Sequence, residues 1–548
     1  ILHRLVGSEM CIRDRIISSE ELEGMPVTEV SEVLRLQGGV TVDSDGGIHM
    51  RGGRTSEVSY MVDGVPMSDL YDGGIGVQIE NDNIQELQVI SGTFNAEYGR
   101  ALTGVVNMVT KDGGNQFEGS LHTYAGDYQS SDKIYNNLNN LDLEDDYSVS
   151  ASLSGPILKD KVTFYSSGRV NQSKGWLNGL QTFTIYGDTI FKDQNNNRYL
   201  DGNEEQKDPY YKGLNWHSSW STQNKVTFNL LKGTTFKINT ILNSRESQDY
   251  NFALQLLEDA QITNFNRGRF LGLSISHTLS PTSFLQVNVS ENKYNYESYL
   301  FEDPLDNRYI TPDSLFLARL ENRIPDHIIE QYGDQVQYFP AYSLYRAGVD
   351  NRRFKRETKT NNYKLDFTSQ INKYNQVKLG LDFSSHSLML DTYSLLDSTL
   401  TDQVYTPIIP DKESFTRSYY VRKPTEFAIY AQDKIEYGDM IINLGLRYES
   451  FNPNAKIPNN IHEPYIKDPR NPALDTLSME ELENINWGDI SYTEIDSNGN
   501  EVSYTYADYY SRFNDQPNLN QKTGWWKNTT VKSCLLYTSP SPRDDGVS

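Results

Sequence analysis

From about residue 116 onward, apolar and polar residues alternate with period two, the spacing that puts successive side chains on opposite faces of an extended strand. Val162 and Phe164; Val226, Phe228 and Leu230; Phe236 and Ile238; Leu271, Leu273 and Ile275; and Leu285, Val287 and Val289 each line one face. The pattern continues through Tyr363, Leu365 and Phe367; Val377, Leu379, Leu381 and Phe383; Phe427, Ile429 and Ala431; and Ile442, Leu444, Leu446 and Tyr448. Lys, Asn, Asp, Ser, Gln and Gly stand between them, so the opposite face is polar. With GSLHTY at 119–124 and SVSASLSG at 148–155, the spacing predicts about eleven strands.

The connections alternate as well. Short ones fall at Leu158-Lys159-Asp160, Leu231-Lys232-Gly233, Ser280-Pro281-Thr282, Asn372-Lys373 and Tyr437-Gly438-Asp439. Long polar ones cover roughly 174–216, 246–263, 297–357, 391–417 and 453 onward. Tight turns at one end of a hairpin series and long loops at the other are the pattern of an outer-membrane barrel, with loops outside and turns in the periplasm. A soluble sandwich or propeller, the plainer alternative, has no reason to keep that rhythm.

Composition removes several classes. No run of 18 apolar residues occurs, which excludes a transmembrane helix and says nothing about strands. At 37% hydrophobic the chain could look disordered, but 37 tyrosines and 12% aromatics argue for a packed fold. A net charge of −24 makes it a poor partner for nucleic acid. Eight histidines without a paired spacing offer no His-rich metal site. The two cysteines, Cys11 and Cys534, lie in terminal segments that read as foreign. LVGSEMCIRD (5–14) and CLLYTSPSPRD (534–544) can be written as opposite strands of one DNA sequence, and that sequence resembles a transposon-type library adaptor. Residues 1–15 and 533–548 are therefore expected to be adaptor-derived and are set aside. The rest is expected to be a fragment open at both ends, without thiol catalysis, Cys-containing zinc sites or disulfides.

Residues 16–115 have a different, mixed character. Val30, Val33 and Leu34 repeat at helical spacing ahead of Gly38-Gly39, which predicts a short helix. HMRGG, EVSYMVDGV, IQELQVISG and GVVNMVTKDGG then read as short strands separated by turns. Within this domain RGGRTSEVSYMVDGVPMSD (51–69) pairs two arginines with two glycines and places Asp63-Gly64 before Val65-Pro66 as a turn. An Ile-Glu-like segment follows at Ile84 to Ile90, then AEYGRALTGVVNMVTKDGGN at 96–115.

In order and spacing these motifs resemble the plug of the TonB-dependent receptor family, and SLSGPILKDKVTFYSSGRV and EFAIYAQDKIEYGDMIINLGLRYE are similar to its barrel hairpins, especially those of Bacteroidetes-like members. The resemblance implies a mixed fold class: a small α/β plug domain at 16–115, then an incomplete antiparallel transmembrane β-barrel at 116–532 with about 11 of 22 strands. It implies that Arg51, Arg54 and Arg100 meet carboxylates of the polar barrel lumen, that Gly52, Gly53, Gly99 and Gly104 allow close strand packing, that Asp63-Gly64 forms a turn, and that Tyr98 belongs to the same motif. It further implies energised uptake of a scarce solute, a metal chelate, oligosaccharide or peptide, across the outer membrane. In that scheme TonB and its inner-membrane motor pull on a box near the receptor's N-terminus, and some relatives add a surface lipoprotein partner. No covalent chemistry is expected, hence no enzyme, no catalytic residue and no required cofactor.

One further stretch deserves weighing. DQNNNRYLDGNE (193–204) places Asp193, Asn195, Asn197, Tyr199, Asp201 and Glu204 at positions 1, 3, 5, 7, 9 and 12 of an EF-hand-like calcium loop. Arg198 stands where the sharp turn needs glycine, and Asn- and Asp-rich segments also serve as plain turns, so both readings remain open. If bound, Ca2+ would stiffen an extracellular loop. Tyrosine-rich loops such as QYGDQVQYFPAYSLY (331–345) suit either ligand contact or loop packing. Two other classes stay in view: a passive porin or adhesin-like barrel without a TonB box, and a secreted soluble β-protein without an outward apolar band.

Overall fold

The computed structural model describes residues 15–25, 30–43, 46–90, 95–185, 211–309, 344–397 and 407–458, apart from single or paired positions within them, together with short strands inside 191–199, 491–505 and 526–540. The chain divides into two compact units, residues 1–450 with 532–548 and residues 451–531. The second contains two short antiparallel pairs, Lys456–Pro458 with Trp526–Asn528 and Ser491–Ile495 with Glu501–Thr505.

In the first unit the chain opens with β1 (Arg15–Ser18), α1 (Ser19–Glu23), α2 (Val30–Arg35), β2 (Val40–Val42), β3 (Ile48–Met50), β4 (Val58–Val62), β5 (Val65–Pro66), β6 (Ile84–Ile90) and β7 (Gly104–Thr110). Helix α2 buries Val30, Val33 and Leu34, the face its spacing predicted. Helix α1 was not visible in that spacing; it is set by Ser18, whose Oγ accepts from the Glu21 amide at 3.3 Å and so caps the first turn. A five-stranded sheet runs β1-β6-β7-β4-β5, parallel only between β4 and β7. Tyr60, Leu87 and Met108 from its strands pack with Val33 and Leu34 in one apolar core.

The large antiparallel sheet follows: β8 (Glu118–Gly126), β9 (Asp146–Leu158), β10 (Val162–Ser173), β11 (His217–Leu231), β12 (Thr234–Ser247), β13 (Thr263–Ser280), β14 (Ser283–Tyr299), β15 (Arg352–Gln370), β16 (Asn375–Ser394), β17 (Arg417–Arg422), β18 (Thr425–Tyr437) and β19 (Met440–Asn452). Strands β17 and β18 continue each other along β16: Leu388 faces Arg422 and Ser385 faces Thr425 in one register. The ladder breaks between them at Pro424, which has no N–H to give. A further strand, Val531–Pro540, lies beside β19 and runs mostly through the terminal segment set aside above.

All five tight turns fall where the sequence put them. The loops differ in extent, because β13 to β16 are 18, 17, 19 and 20 residues long. A membrane crossing takes only about 9–11 residues, so these strands stand well clear of the bilayer on the long-loop side. A loop at 127–145, joining β8 to β9, was not foreseen.

Register gives the sheet two opposite faces. One cross-strand row runs Phe164, Val226, Ile238, Leu273, Val289, Tyr363, Phe383, Phe427 over eight strands, and most of its large side chains are exposed. The row one residue along runs Tyr165, Lys225, Asn239, Gly272, Ser290, Asn362, Ser384, Glu426, and most of these are buried. Exposed hydrocarbon with buried polar groups is the inverse of a water-soluble protein and suits a wall with lipid outside and a polar lumen inside.

Candidate functional site

The lumen face is occupied by the N-terminal domain, and the Asp63-Gly64 turn is one place where the two meet. Val62 pairs with Val65 around a two-residue loop, and φ is +49° at Asp63 and +79° at Gly64. Both values are positive, as a type I′ hairpin turn demands, and Asp-Gly is a sequence that tolerates them. The turn is then bound from both sides. Asp63 accepts from the Thr110 amide at 2.9 Å and its hydroxyl at 2.8 Å, and from Asn239 Nδ2 of the wall at 3.1 Å. Asn292 and Asn362 donate to the Pro66 carbonyl at 2.9 and 3.2 Å.

Charged pairs repeat this docking along the whole height of the wall. Near the short turns, Lys225 is 3% exposed and reaches Asp63 at 3.3 Å, Asp112 at 3.1 Å and the Thr110 carbonyl at 3.1 Å. Lys237 holds the other oxygen of Asp112 at 2.6 Å. Midway, Arg169 pairs with Glu80 at 2.8 Å while Ser221 donates to the same carboxylate at 2.9 Å. On another flank Lys378 pairs with Glu97, Arg447 donates to the Ala96 carbonyl at 3.3 Å, and Arg100 pairs with Glu426 and meets Nε2 of His386 at 3.1 Å. Toward the long loops, Arg356 binds Asp72 at 2.7 Å and Asp69 at 3.3 Å, enclosed by the rings of Tyr71, Tyr294 and Tyr296. An apolar contact joins them: Ile241 and Phe270, cross-strand partners facing inward, enter the core of the N-terminal domain.

The electrostatics follow from this seating. Burial would raise the carboxyl of Asp112, but Lys225 and Lys237 outweigh it and hold the group below its ordinary value. Glu97 behaves the same way, burial being outweighed by Lys378 and Lys364. Asp69 goes the other way: burial and the charge of Asp72 raise it, against the pull of Arg356. A cavity of about 350 Å³ lies beside the turn, between Val62 to Val65 and wall residues that include Asn239, Gly272 and Asn288.

The residues singled out in the sequence fall into distinct places. Arg100 reaches a wall carboxylate. Arg51 and Arg54 are exposed and make no side-chain ion pair among the described residues. Their segment is a tight turn of its own, with φ of +51° at Arg51 and +76° at Gly52, which points the arginines off the domain. Gly53, Gly99 and Gly104 mark close approaches: a Cβ at Gly53 would overlap Thr103, at Gly99 the Arg447 guanidinium, and at Gly104 the Met50 sulfur. Tyr98 packs against the small apolar cluster of Met61, Ala101 and Val105. Of the calcium-loop residues, Asp193, Asn195, Asn197, Asp201 and Glu204 lie outside the described residues, and only the backbone of Tyr199 is described, paired with Phe191. The wall cations Lys225, Lys378, Arg356 and Arg447 were not singled out, although they stand at the polar positions of the alternating pattern.

Comparison with known proteins converges on one family. Residues 13–106 match the TonB-dependent Receptor Plug Domain. The chain is 31% identical over 129 residues to the TonB-dependent transporter Oar of Myxococcus xanthus, covering 22% of this chain and 12% of that protein. It is 26% identical over 181 residues to the probable TonB-dependent siderophore receptor PirA of Acinetobacter baumannii, covering 29% of this chain and 23% of that one. The outer membrane transporter YddB of Escherichia coli superposes with a TM-score of 0.53 at 12% identity, over 80% of this chain and 56% of that one. The chain thus spans less than a quarter of these curated relatives and about half of the solved structure. Residues 13–106 thus carry a TonB-dependent receptor plug domain, seated on the polar face of an antiparallel wall that shares the fold of part of an outer-membrane β-barrel.

Proposed function

We propose that this chain is the plug and part of the barrel of an active importer, which takes up a scarce solute at the extracellular side when TonB pulls on the plug. The observation that carries this reading is the chemistry of the seat. Among the described residues plug and wall meet mainly through ion pairs and hydrogen bonds, spread from Lys225 near the turns to Arg356 near the loops, with an apolar anchor at Ile241 and Phe270. Such a contact blocks the lumen at rest, and it can part and re-form because each group regains water when it separates. Passage then needs work from outside the outer membrane, which TonB and its inner-membrane motor would supply.

The cargo class is a metal chelate, an oligosaccharide or a peptide. A relative named for a siderophore supports trying chelates first. Cells expressing the complete receptor are grown on ferric chelates, oligosaccharides or peptides as the sole source of iron, carbon or nitrogen, with and without a functional TonB. Growth on one class that vanishes without TonB is the expected result. Growth that is indifferent to TonB would show a passive barrel instead.

A further inference from the structure

The cavity of about 350 Å³ beside the Asp63-Gly64 turn has the plug on one side and the wall on the other. Val62 to Val65 and Asn107 close it from the plug, and Lys237, Ser274, Ser276 and Gln286 close it from strands β12 to β14, near their short turns. Its charges are spent on each other. Lys225 reaches Asp63 and Asp112, and Lys237 holds the second oxygen of Asp112, so two ammonium groups meet two carboxylates with no net charge left over. What the lining still offers is neutral. Ser274, Ser276, Gln286 and Asn288 contribute hydroxyl and amide groups, and Asn239, 4% exposed, has an Oδ1 with no hydrogen-bond partner among the described residues. One face is apolar: Val62, Val65 and the ring of Phe270, for which Gly272 makes room, since a Cβ there would meet that ring at 2.8 Å.

An ion entering this space would leave its water and find no unpaired countercharge, a cost that nothing repays. A neutral molecule edged with hydroxyls and apolar on one face would instead meet hydrogen-bonding groups at its rim and an aromatic ring at its face. A sugar ring has that form, and the volume holds roughly one or two of them. We propose that this cavity is a sugar subsite, and that on the importer reading, on which this role rests, it is an inner stop for a neutral oligosaccharide cargo passing the plug. A ring bound there touches both sides of the joint, at the place where a gap opens once the Asp63-Gly64 turn leaves Asn239 and Lys225.

The test uses the full chain in a detergent without a sugar headgroup and measures binding of glucose, maltose, glucuronate and glucosamine by saturation-transfer NMR. Glucose or maltose should bind with roughly millimolar affinity, the scale for so small a ligand, and glucuronate and glucosamine about tenfold more weakly or worse. Ser274→Leu, which fills the cavity from the wall, should abolish the sugar signal. Gln286→Leu, which keeps the bulk and removes the amide, should weaken it roughly tenfold. A sugar site among the outer loops would be untouched by either change. No binding of either neutral sugar, equal binding of the charged ones, or unchanged binding in either variant at the parent's unfolding temperature overturns the proposal. Because no TonB is present, such a result strikes the subsite and leaves TonB-dependent growth standing. Sugar binding together with TonB-independent growth strikes the importer and keeps the subsite.

Discussion

Lys225 shows how single residues hold this molecule together. Its ammonium is buried against Asp63, Asp112 and Thr110, so truncation leaves Asp63 without its cation and Asp112 with Lys237 alone. Lys225→Ala should cost about 3 kcal/mol, the scale of breaking a buried pair, read as a fall in thermal unfolding temperature in detergent. The acid side of stability belongs to the same residues. Glu97 and Asp112 are held below their ordinary values of 4.5 and 3.8 by wall lysines that outweigh burial. A carboxylate with a depressed folded-state pKa gives stability that is complete above its unfolded value and lost as pH falls through the folded one. The seat should therefore weaken below about pH 4.5, and Glu97→Gln should flatten that decline in an unfolding series run from neutral to acid.

Among elements, the strands and their turns were legible and some of their surroundings were not. Alternation in β13 to β16 reads directly because one face meets lipid and the other a polar lumen, so every second residue answers to a different solvent. Leu365, paired with Val287 and Leu381 on the outer face, makes this measurable: Leu365→Arg should cost about 2–4 kcal/mol in a reversible unfolding titration, the depth-dependent penalty near a bilayer midplane. The Asp63-Gly64 turn was legible from its two residue types, and Gly64→Val, forcing a β-branched residue to a φ of +79°, should cost about 1–3 kcal/mol on the same scale. Helix α1 escaped because a five-residue helix has too few turns to show a period; only its Ser18 cap marked it. Among the described residues Arg51 and Arg54 meet no lumen carboxylate, because composition gives charge but not direction, and the left-handed backbone at Arg51 and Gly52 decides direction. The wall lysines of the seat were visible as polar positions, yet which of them met the plug depended on contacts hundreds of residues apart.

The whole molecule is a plug domain with a conventional apolar core against a sheet turned inside out. Ile241 and Phe270 bridge the two regimes, inward-facing wall residues that complete the plug's core. Phe270→Ala should open a cavity there and cost about 3–5 kcal/mol, and amide hydrogen exchange should locate the loss in the plug strands rather than in the outward rows of the wall. Equal loosening of plug and wall would mean that the two fold as one cooperative unit.

The ion-paired seat has a consequence for how the plug comes free. Its pairs are strong while the gap excludes water, because charges attract more in a medium of low polarisability. The cavity beside the Asp63-Gly64 turn gives water a place to begin. Each pair that parts wets its neighbours and screens them, so the next parts under less force. The joint behaves like an adhesive that grips when dry and peels when wet, resisting a brief tug and yielding to a sustained one.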